Sequence, residues 1–134
     1  MRQMSPGTES SISITVQDRD LASALAFDTA DQFPPVFATS RMIALMELAA
    51  ARGMAPLLND GELSVGVTVD IAHGAPTPPG STVRAVATFR EMDGKLFVFD
   101  VAAFDDAGEI GRGTHKRAIV ATERLLAGAE KRRR

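Results

Sequence analysis

The stretch FATSRMIALMELAAARGMAP, residues 37–56, decides the fold. Nearly all of its side chains are apolar or small, which is typical of a helix that is covered on most sides. Thr39 or Ser40 is expected to cap the start of this helix through its hydroxyl, and Gly53 favours its end. Glu47 is the exception, because it places a carboxylate at the centre of a helix that is otherwise suited to burial.

Strand patterns lie on both sides of this helix. Residues 11–16 alternate between polar and apolar side chains before it. Residues 17–37 are ambiguous, since 20–30 are compatible with a short helix while FPPVF favours an extended segment. Four strands are predicted after the helix, at 62–73, 82–90, 95–104 and 109–121, and a short final helix is predicted from Thr122. This order predicts an α+β fold in which one antiparallel sheet packs against the long helix.

Length and composition limit the class of protein. The 134 residues are predicted to form a single domain, 1–134, with loose segments at 1–10 and 128–134. A net charge of -2 argues against a nucleic-acid partner, and the basic KRRR end is interpreted as solvated. The chain has no cysteine, which excludes disulfides and thiolate metal sites. Without an apolar N-terminal segment or a long apolar run, no membrane association is expected and a cytoplasmic location is predicted.

His73 is the first candidate for chemistry. It ends the predicted strand 62–73, and strict alternation of side chains assigns it to the apolar face of that strand. The other members of this face are Leu63, Val65, Val67, Val69 and Ile71. This face should meet the helix, so His73 is expected to point toward the layer that contains Glu47. A bulge at Gly66 would disturb the alternation.

A carboxylate, an imidazole and a hydroxyl together can activate water or an alcohol. An isolated buried Glu47 would be costly, and a histidine partner would relieve that cost. Thr39 supplies the hydroxyl, eight residues before Glu47 and about 12 Å away along a helix axis, so the two are expected at opposite ends of one small pocket. Structural roles remain open for all three: Thr39 as a simple helix cap, Glu47 as an interface residue and His73 as a packing residue.

Arg117 is a further candidate for a functional residue. It shares the parity of His115 on the last predicted strand, and the two are expected near a subunit edge. An arginine there is either a surface cation or a ligand for a phosphate or carboxylate. No metal-ligand spacing, nucleotide-binding glycine loop or Gly-x-Ser-x-Gly motif occurs in the sequence.

Three stretches resemble hotdog-fold thioesterases, most closely those similar to fluoroacetyl-CoA thioesterase. They are FPPVFATSRMIALMELAAARGMAP, GELSVGVTVDIAHGAPTPPG and EIGRGTHKRAIV, in this order along residues 33–120. The resemblance implies a hotdog fold, with a long helix wrapped by an antiparallel sheet, and a homodimer with active sites at the interface. It implies that Thr39, Glu47 and His73 are catalytic. It also implies substrate-binding roles for Phe33 as part of an apolar lid and for Gly66 and Arg117 at the acyl site.

Two positions depart from the pattern of that family and bear on specificity. Leu48 stands where an aromatic residue follows the glutamate, and Arg41 stands where a bulky apolar residue is expected. Because few organisms meet fluoroacetyl-CoA, the expected substrate is a short-chain or small substituted acyl-CoA.

The expected reaction is thioester hydrolysis near the start of the long helix. His73 would be the general base, and Glu47 would either orient it or attack directly. A covalent acyl intermediate and direct attack by water both remain open. Hydrolysis by these residues needs no cofactor or metal, so none is expected. Coenzyme A is part of the substrate.

Two other classes of protein remain alternatives. An enoyl-thioester hydratase would need a histidine and an aspartate at the helix start, where this chain has Thr39 and Ser40. A non-catalytic acyl-CoA sensor would be expected to carry a DNA-binding segment, for which residues 1–10 are too short.

Overall fold

The computed structural model describes residues 3–134. Its strands are β1 (Glu9–Thr15), β2 (Glu62–His73), β3 (Thr82–Asp93), β4 (Leu96–Asp105) and β5 (Gly108–Ala121). They form one antiparallel sheet in the order β1-β3-β4-β5-β2. Helix α1 (Thr39–Met54) lies between β1 and β2 in the chain, and α2 (Thr122–Lys131) follows β5. The predicted α+β architecture is confirmed.

Helix α1 packs against the sheet through one stripe of side chains. The stripe follows the helical repeat and consists of Met42, Leu45, Met46, Ala49, Ala50 and Met54, all buried. Alanines at 85, 87 and 103 on β3 and β4 are also buried beneath it. Their small side chains let the helix approach the sheet closely, while Phe89 packs against the rings of Phe97 and Phe99 in the same core.

The ends of α1 differ from the prediction. The helix begins at Thr39 with Ala38 as the N-cap, so no side chain caps it, and the Thr39 hydroxyl contacts His73 instead. The helix continues one residue past Gly53 into a short 3-10 turn, Ala55–Leu57. A side chain at Gly53 would run into Ser10 on β1, so this glycine serves close packing and not helix termination.

Strand β2 contains the bulge that the sequence allowed for. Gly66 pairs with Arg117 and Thr68 pairs with Lys116, so Val67 is the extra residue. Side chains directly opposite each other in an antiparallel pair share a face. Arg117 reaches Glu47 on α1, so Gly66 lies on the helix face and Leu63 and Val65 lie on the other face, against the prediction. Past the bulge the predicted face holds for Val69, Ile71 and His73.

The segments predicted to be loose are shorter than expected. Strand β1 begins at Glu9 and pairs with β3, and Gly7 N donates to Phe89 O at 2.8 Å. At the other end, α2 extends through residues 128–131 with its side chains exposed. Residues 1 and 2 lie outside the described residues. Between β1 and α1 the chain forms two 3-10 turns, Asp18–Asp20 and Ala22–Leu25, and not an α-helix. None of the helices in residues 3–134 is both long enough and apolar enough to cross a bilayer.

Candidate active site

Thr39 and His73 meet at the start of α1. Thr39 is the first residue of the helix and His73 is the last residue of β2. The Thr39 Oγ1 atom lies 2.7 Å from His73 Nδ1, which is a short hydrogen bond. A hydroxyl held against an imidazole nitrogen in this way can pass its proton to the ring.

The surroundings of His73 favour its neutral form. Partial burial lowers the pKa of His73 from 6.5, and the backbone at Ala75 opposes this more weakly. Its other ring nitrogen, Nε2, is buried and makes no hydrogen bond to any of the residues 3–134. A neutral imidazole with one nitrogen on a hydroxyl and the other unengaged is suited to general-base chemistry.

Glu47 lies two turns farther along α1 in a separate cluster. Its Oε2 atom accepts a hydrogen bond from Arg117 Nη1 at 3.1 Å and lies 3.9 Å from His115 Nε2. The Glu47 side chain is 41% exposed, so the carboxylate that the sequence placed in a buried helix is half open to solvent. The helix turns Glu47 away from the buried stripe, which explains how the chain tolerates it.

The histidine beside Glu47 is therefore His115 and not His73. Across residues 3–134, Glu47 makes no hydrogen bond or ion pair with His73. The structure brings Thr39 and His73 together and leaves Glu47 apart, as expected for residues eight positions apart on one helix.

Arg117 is buried, with 6% exposure, and so is not a surface cation. Its Nε donates to Ser64 Oγ at 3.1 Å, and its Nη2 donates to Ser64 O at 2.9 Å. Its Nη1 also lies 3.1 Å from His115 Nε2. The sequence contained no signal for Ser64. It placed His115 on the same face as Arg117 by their shared parity, but at a subunit edge and not beside Glu47.

Gly66 completes this cluster by leaving space. A side chain at this position would run into the Glu47 carboxylate and lie 3.1 Å from His115 Cε1. Only glycine lets β2 pass this close to the carboxylate without displacing it.

Phe33 is half exposed, in the extended segment that precedes α1. Arg41 and Leu48 line a surface cavity of about 700 Å³ together with residues of β1 and of the first 3-10 turn. Neither Thr39, Glu47 nor His73 lines this cavity or the cavity of about 530 Å³ on the outer face of the sheet. Thr39 and the Glu47 side chain, which is 41% exposed, are both open to solvent in a single chain.

No three His, Asp or Glu side chains within residues 3–134 are grouped in a way that could hold a metal ion. The candidate site therefore consists of two parts: the Thr39–His73 pair and the cluster of Glu47, Arg117, His115 and Ser64.

Comparison with known proteins gives consistent matches. The model of the FlK family, described as fluoroacetyl-CoA-specific thioesterase, matches residues 16–123. The fluoroacetyl-CoA thioesterase of Streptantibioticus cattleyicolor is 46% identical over 96 residues, which are 72% of this chain and 69% of that protein.

Solved structures of FlK match over nearly the whole chain. One has a TM-score of 0.91 at 36% identity and covers 98% of this chain and 99% of the other. A variant of FlK in complex with acetyl-CoA has a TM-score of 0.90 at 35% identity, with 98% and 100% covered. The predicted hotdog fold is thereby confirmed.

Proposed function

Because the chain belongs to the fluoroacetyl-CoA-specific thioesterase family, we propose that it is an acyl-CoA thioesterase for short-chain or small substituted acyl groups. It hydrolyses the thioester to the free acid and coenzyme A. The observation that carries the proposal is the 2.7 Å contact between Thr39 Oγ1 and His73 Nδ1 at the start of α1.

The start of α1 provides the place for the reacting carbonyl. The first backbone N–H groups of a helix lack partners within the helix, and the helix dipole favours negative charge there. An oxyanion that forms on the carbonyl oxygen is stabilised by both effects. No side chain competes for these amides at this helix start.

His73 acts as the base in either of two routes. In the first, it takes the proton of the Thr39 hydroxyl, the Thr39 oxygen bonds to the carbonyl carbon, and the carbon–sulfur bond breaks. The imidazolium then gives its proton to the leaving thiolate, and water, activated by the Glu47 carboxylate, hydrolyses the ester. In the second, water oriented by Glu47 attacks the carbonyl directly, its proton reaches His73 Nδ1 through the Thr39 hydroxyl, and the imidazolium gives that proton to the thiolate as the carbon–sulfur bond breaks. Mass spectrometry of rapidly quenched enzyme distinguishes the routes, because only the first gives acylated Thr39.

A homodimer is part of this proposal. Strand β2 is an edge of the sheet, and its apolar residues Leu63, Val67 and Val69 are 52%, 50% and 42% exposed. Leu48 beside Glu47 is 40% exposed. An exposed apolar edge strand is a site for association, and a second copy would cover it and enclose the open site.

Sedimentation or light scattering at micromolar concentration is expected to give at least twice 14.2 kDa. Val67→Lys, which places a charge on the exposed edge, is expected to reduce the mass to that of a monomer without unfolding the chain. A wild-type monomer with full activity would contradict the dimer.

Thiol release tests the activity itself. Acetyl- to butyryl-CoA are expected to be hydrolysed faster than palmitoyl-CoA, because Met42, Leu45 and Met46 fill the space beneath the helix. The chain has no cysteine and adds no thiol background. Equal or faster hydrolysis of palmitoyl-CoA would contradict the small-acyl assignment. Binding without thiol release would favour a sensor, and loss of the enoyl absorbance of crotonyl-CoA without thiol release would favour a hydratase.

The proposal includes neither a cofactor nor a metal ion, since His73 and water or Thr39 supply the chemistry that hydrolysis needs. Activity that persists after dialysis against a chelator would support this. The proposal also includes a cytoplasmic location, with no nucleic-acid or membrane partner, which cell fractionation would test.

A further inference from the structure

His115 is fully buried beside the Glu47 carboxylate, and neither route of hydrolysis uses it. We propose that His115 is a positioning residue: its imidazole holds the Arg117 guanidinium in place, and that guanidinium orients Glu47. The inference rests on the proposed function, because it assigns Glu47 to the reacting site of the thioesterase.

Three residues hold the Arg117 guanidinium in place. A guanidinium has five N–H groups. Those of Arg117 contact Ser64 Oγ, Ser64 O, Glu47 Oε2 and His115 Nε2, at 3.1, 2.9, 3.1 and 3.1 Å. Four of the five N–H groups are thereby engaged within the protein. These contacts fix the guanidinium where it holds the Glu47 carboxylate.

The hydrogen bonds of His115 assign its tautomer. Its Nδ1 lies 2.8 Å from Thr68 O, and a carbonyl oxygen only accepts, so Nδ1 carries the hydrogen. In the neutral ring Nε2 then has a free lone pair, which accepts the N–H of Arg117 Nη1. A protonated ring would set one N–H against another and break this contact.

The surroundings keep the ring neutral. Burial lowers the pKa of His115 from 6.5, and the positive charge of Arg117 on β5 lowers it further. The Thr68 carbonyl on β2 and the Glu47 carboxylate on α1 act in the opposite direction. Arg117 and Glu47 are the charged groups that act on the ring among the described residues, and the balance favours the form that accepts from Arg117.

Strand β2 is shaped to admit this arrangement. The bulge between Gly66 and Thr68 interrupts the register, and Thr68 O, just past the bulge, receives the His115 hydrogen. At Gly66 the missing side chain leaves room for the Glu47 carboxylate.

One Glu47 oxygen is anchored and the other is available. Oε2 accepts from Arg117, whereas Oε1 has no hydrogen-bond partner in residues 3–134. A carboxylate fixed at one oxygen and open at the other can meet a substrate or a water in one defined orientation.

Two substitutions of His115 separate positioning from packing. His115→Asn keeps an amide N–H near the position of Nδ1 but does not reach Arg117. His115→Gln can present its amide oxygen near the position of Nε2. In His115→Asn, kcat is expected to fall by about 10–100-fold with KM little changed, which is the usual cost of a small misplacement. In His115→Gln, most of the kcat should be retained.

The pH profile gives a second readout. Both His73 and His115 have pKa values lowered from 6.5, so the acid side of the kcat profile should lie below that pH and reflect both protonations. In His115→Gln only His73 is left to take up a proton, so kcat should fall less steeply as the pH decreases.

Thr77→Val is the matched control for stability. Thr77 is fully buried in the loop that follows β2, its hydroxyl donates to Asp105 at 2.7 Å, and its side chain makes no hydrogen bond to Glu47, Arg117 or His115 among the described residues. This variant is expected to melt earlier yet keep the kcat of the folded protein.

A readout that does not depend on activity is the NMR signal of the Arg117 Nε–H. It should exchange slowly with solvent in the wild type and in His115→Gln, and faster in His115→Asn. An unchanged signal and unchanged kcat in His115→Asn would overturn the positioning role. If the wild type hydrolysed no acyl-CoA, the proposed function would fail, while the Arg117 signal would still decide whether His115 holds the guanidinium. If His115→Asn failed to fold, Ser64→Ala would replace it, with a smaller kcat loss and faster exchange expected.

Discussion

His73→Ala is expected to lower kcat by about 10²–10⁴-fold, the usual contribution of a general base, or roughly 3–5 kcal/mol of barrier. Thr39 Oγ1 would lose its contact with Nδ1, which is its one side-chain hydrogen bond among the described residues. Turnover of acetyl-CoA, measured by thiol release per folded molecule, checks this. The fold should remain, because His73 ends β2 beside a loop.

His73→Asn is the matched variant for this test. Its amide can still hydrogen-bond to Thr39 but cannot accept a proton at neutral pH. If His73 acts as a base, the asparagine variant should be about as slow as the alanine variant. If His73 only holds Thr39, the asparagine variant should keep most of the activity, and the base assignment would be wrong.

The lowered pKa of His73 also predicts the direction of the pH effects. Its pKa in the folded protein lies below 6.5, so the ring is neutral at pH 7 and the rate falls as the pH drops through the lowered pKa. In the unfolded chain the ring binds its proton more readily, so acid favours unfolding below about pH 6.5. His73→Ala should lose this part of the acid sensitivity of the unfolding free energy.

The sequence predicted the scaffold well because its signals are local. The repeat of Met42, Leu45, Met46 and Ala49 fixes the buried side of α1, and the alternation in β3 fixes the face beneath it. The position of His73 was also predicted, although the face assigned to Leu63 and Val65 was wrong. The prediction counted back from His73 through a bulge that reverses the alternation at Gly66.

The partners within the site could not be read from periodicity. Whether His73 or His115 reaches Glu47 depends on that bulge and on the register between β2 and β5, in which His115 lies opposite Val69. Of the two alternatives for Arg117, the surface cation is excluded for the same reason, since the register places Arg117 opposite Gly66 and next to the Glu47 carboxylate. These contacts join residues that lie far apart in the chain, so a local sequence pattern cannot predict them.

Glu47→Gln is expected to lower kcat by about 10²-fold or more, because the amide keeps the shape of the side chain but can neither act as a base nor attack. If Glu47 were an isolated buried charge, this substitution would leave the stability unchanged or raise it. The structure instead shows a carboxylate paired with Arg117. Glu47 neutralises the buried guanidinium of Arg117, so the variant leaves a buried cation without its carboxylate.

The loss of stability in Glu47→Gln should be modest. The Glu47 side chain is 41% exposed, solvent screens the pair, and the glutamine oxygen can still accept from Arg117. We expect the unfolding free energy to fall by about 1 kcal/mol, or roughly 3–5 °C in Tm. Glu109→Gln is the matched control, since it removes the same charge from the exposed Glu109–Arg112 pair on β5. It should change neither turnover nor Tm measurably.

The two variants together decide what the carboxylate is for. A catalytic Glu47 gives a large loss of turnover with a small loss of Tm, since half-exposed ion pairs contribute little to stability. A purely structural Glu47 gives the small loss of Tm with normal turnover per folded molecule. Because glutamine preserves the contact to Arg117, displacement of the guanidinium cannot imitate the first outcome. Normal turnover in Glu47→Gln would therefore mean that the carboxylate serves to neutralise Arg117. A loss of turnover in Glu47→Gln that Glu109→Gln does not show would mean that the carboxylate takes part in the reaction.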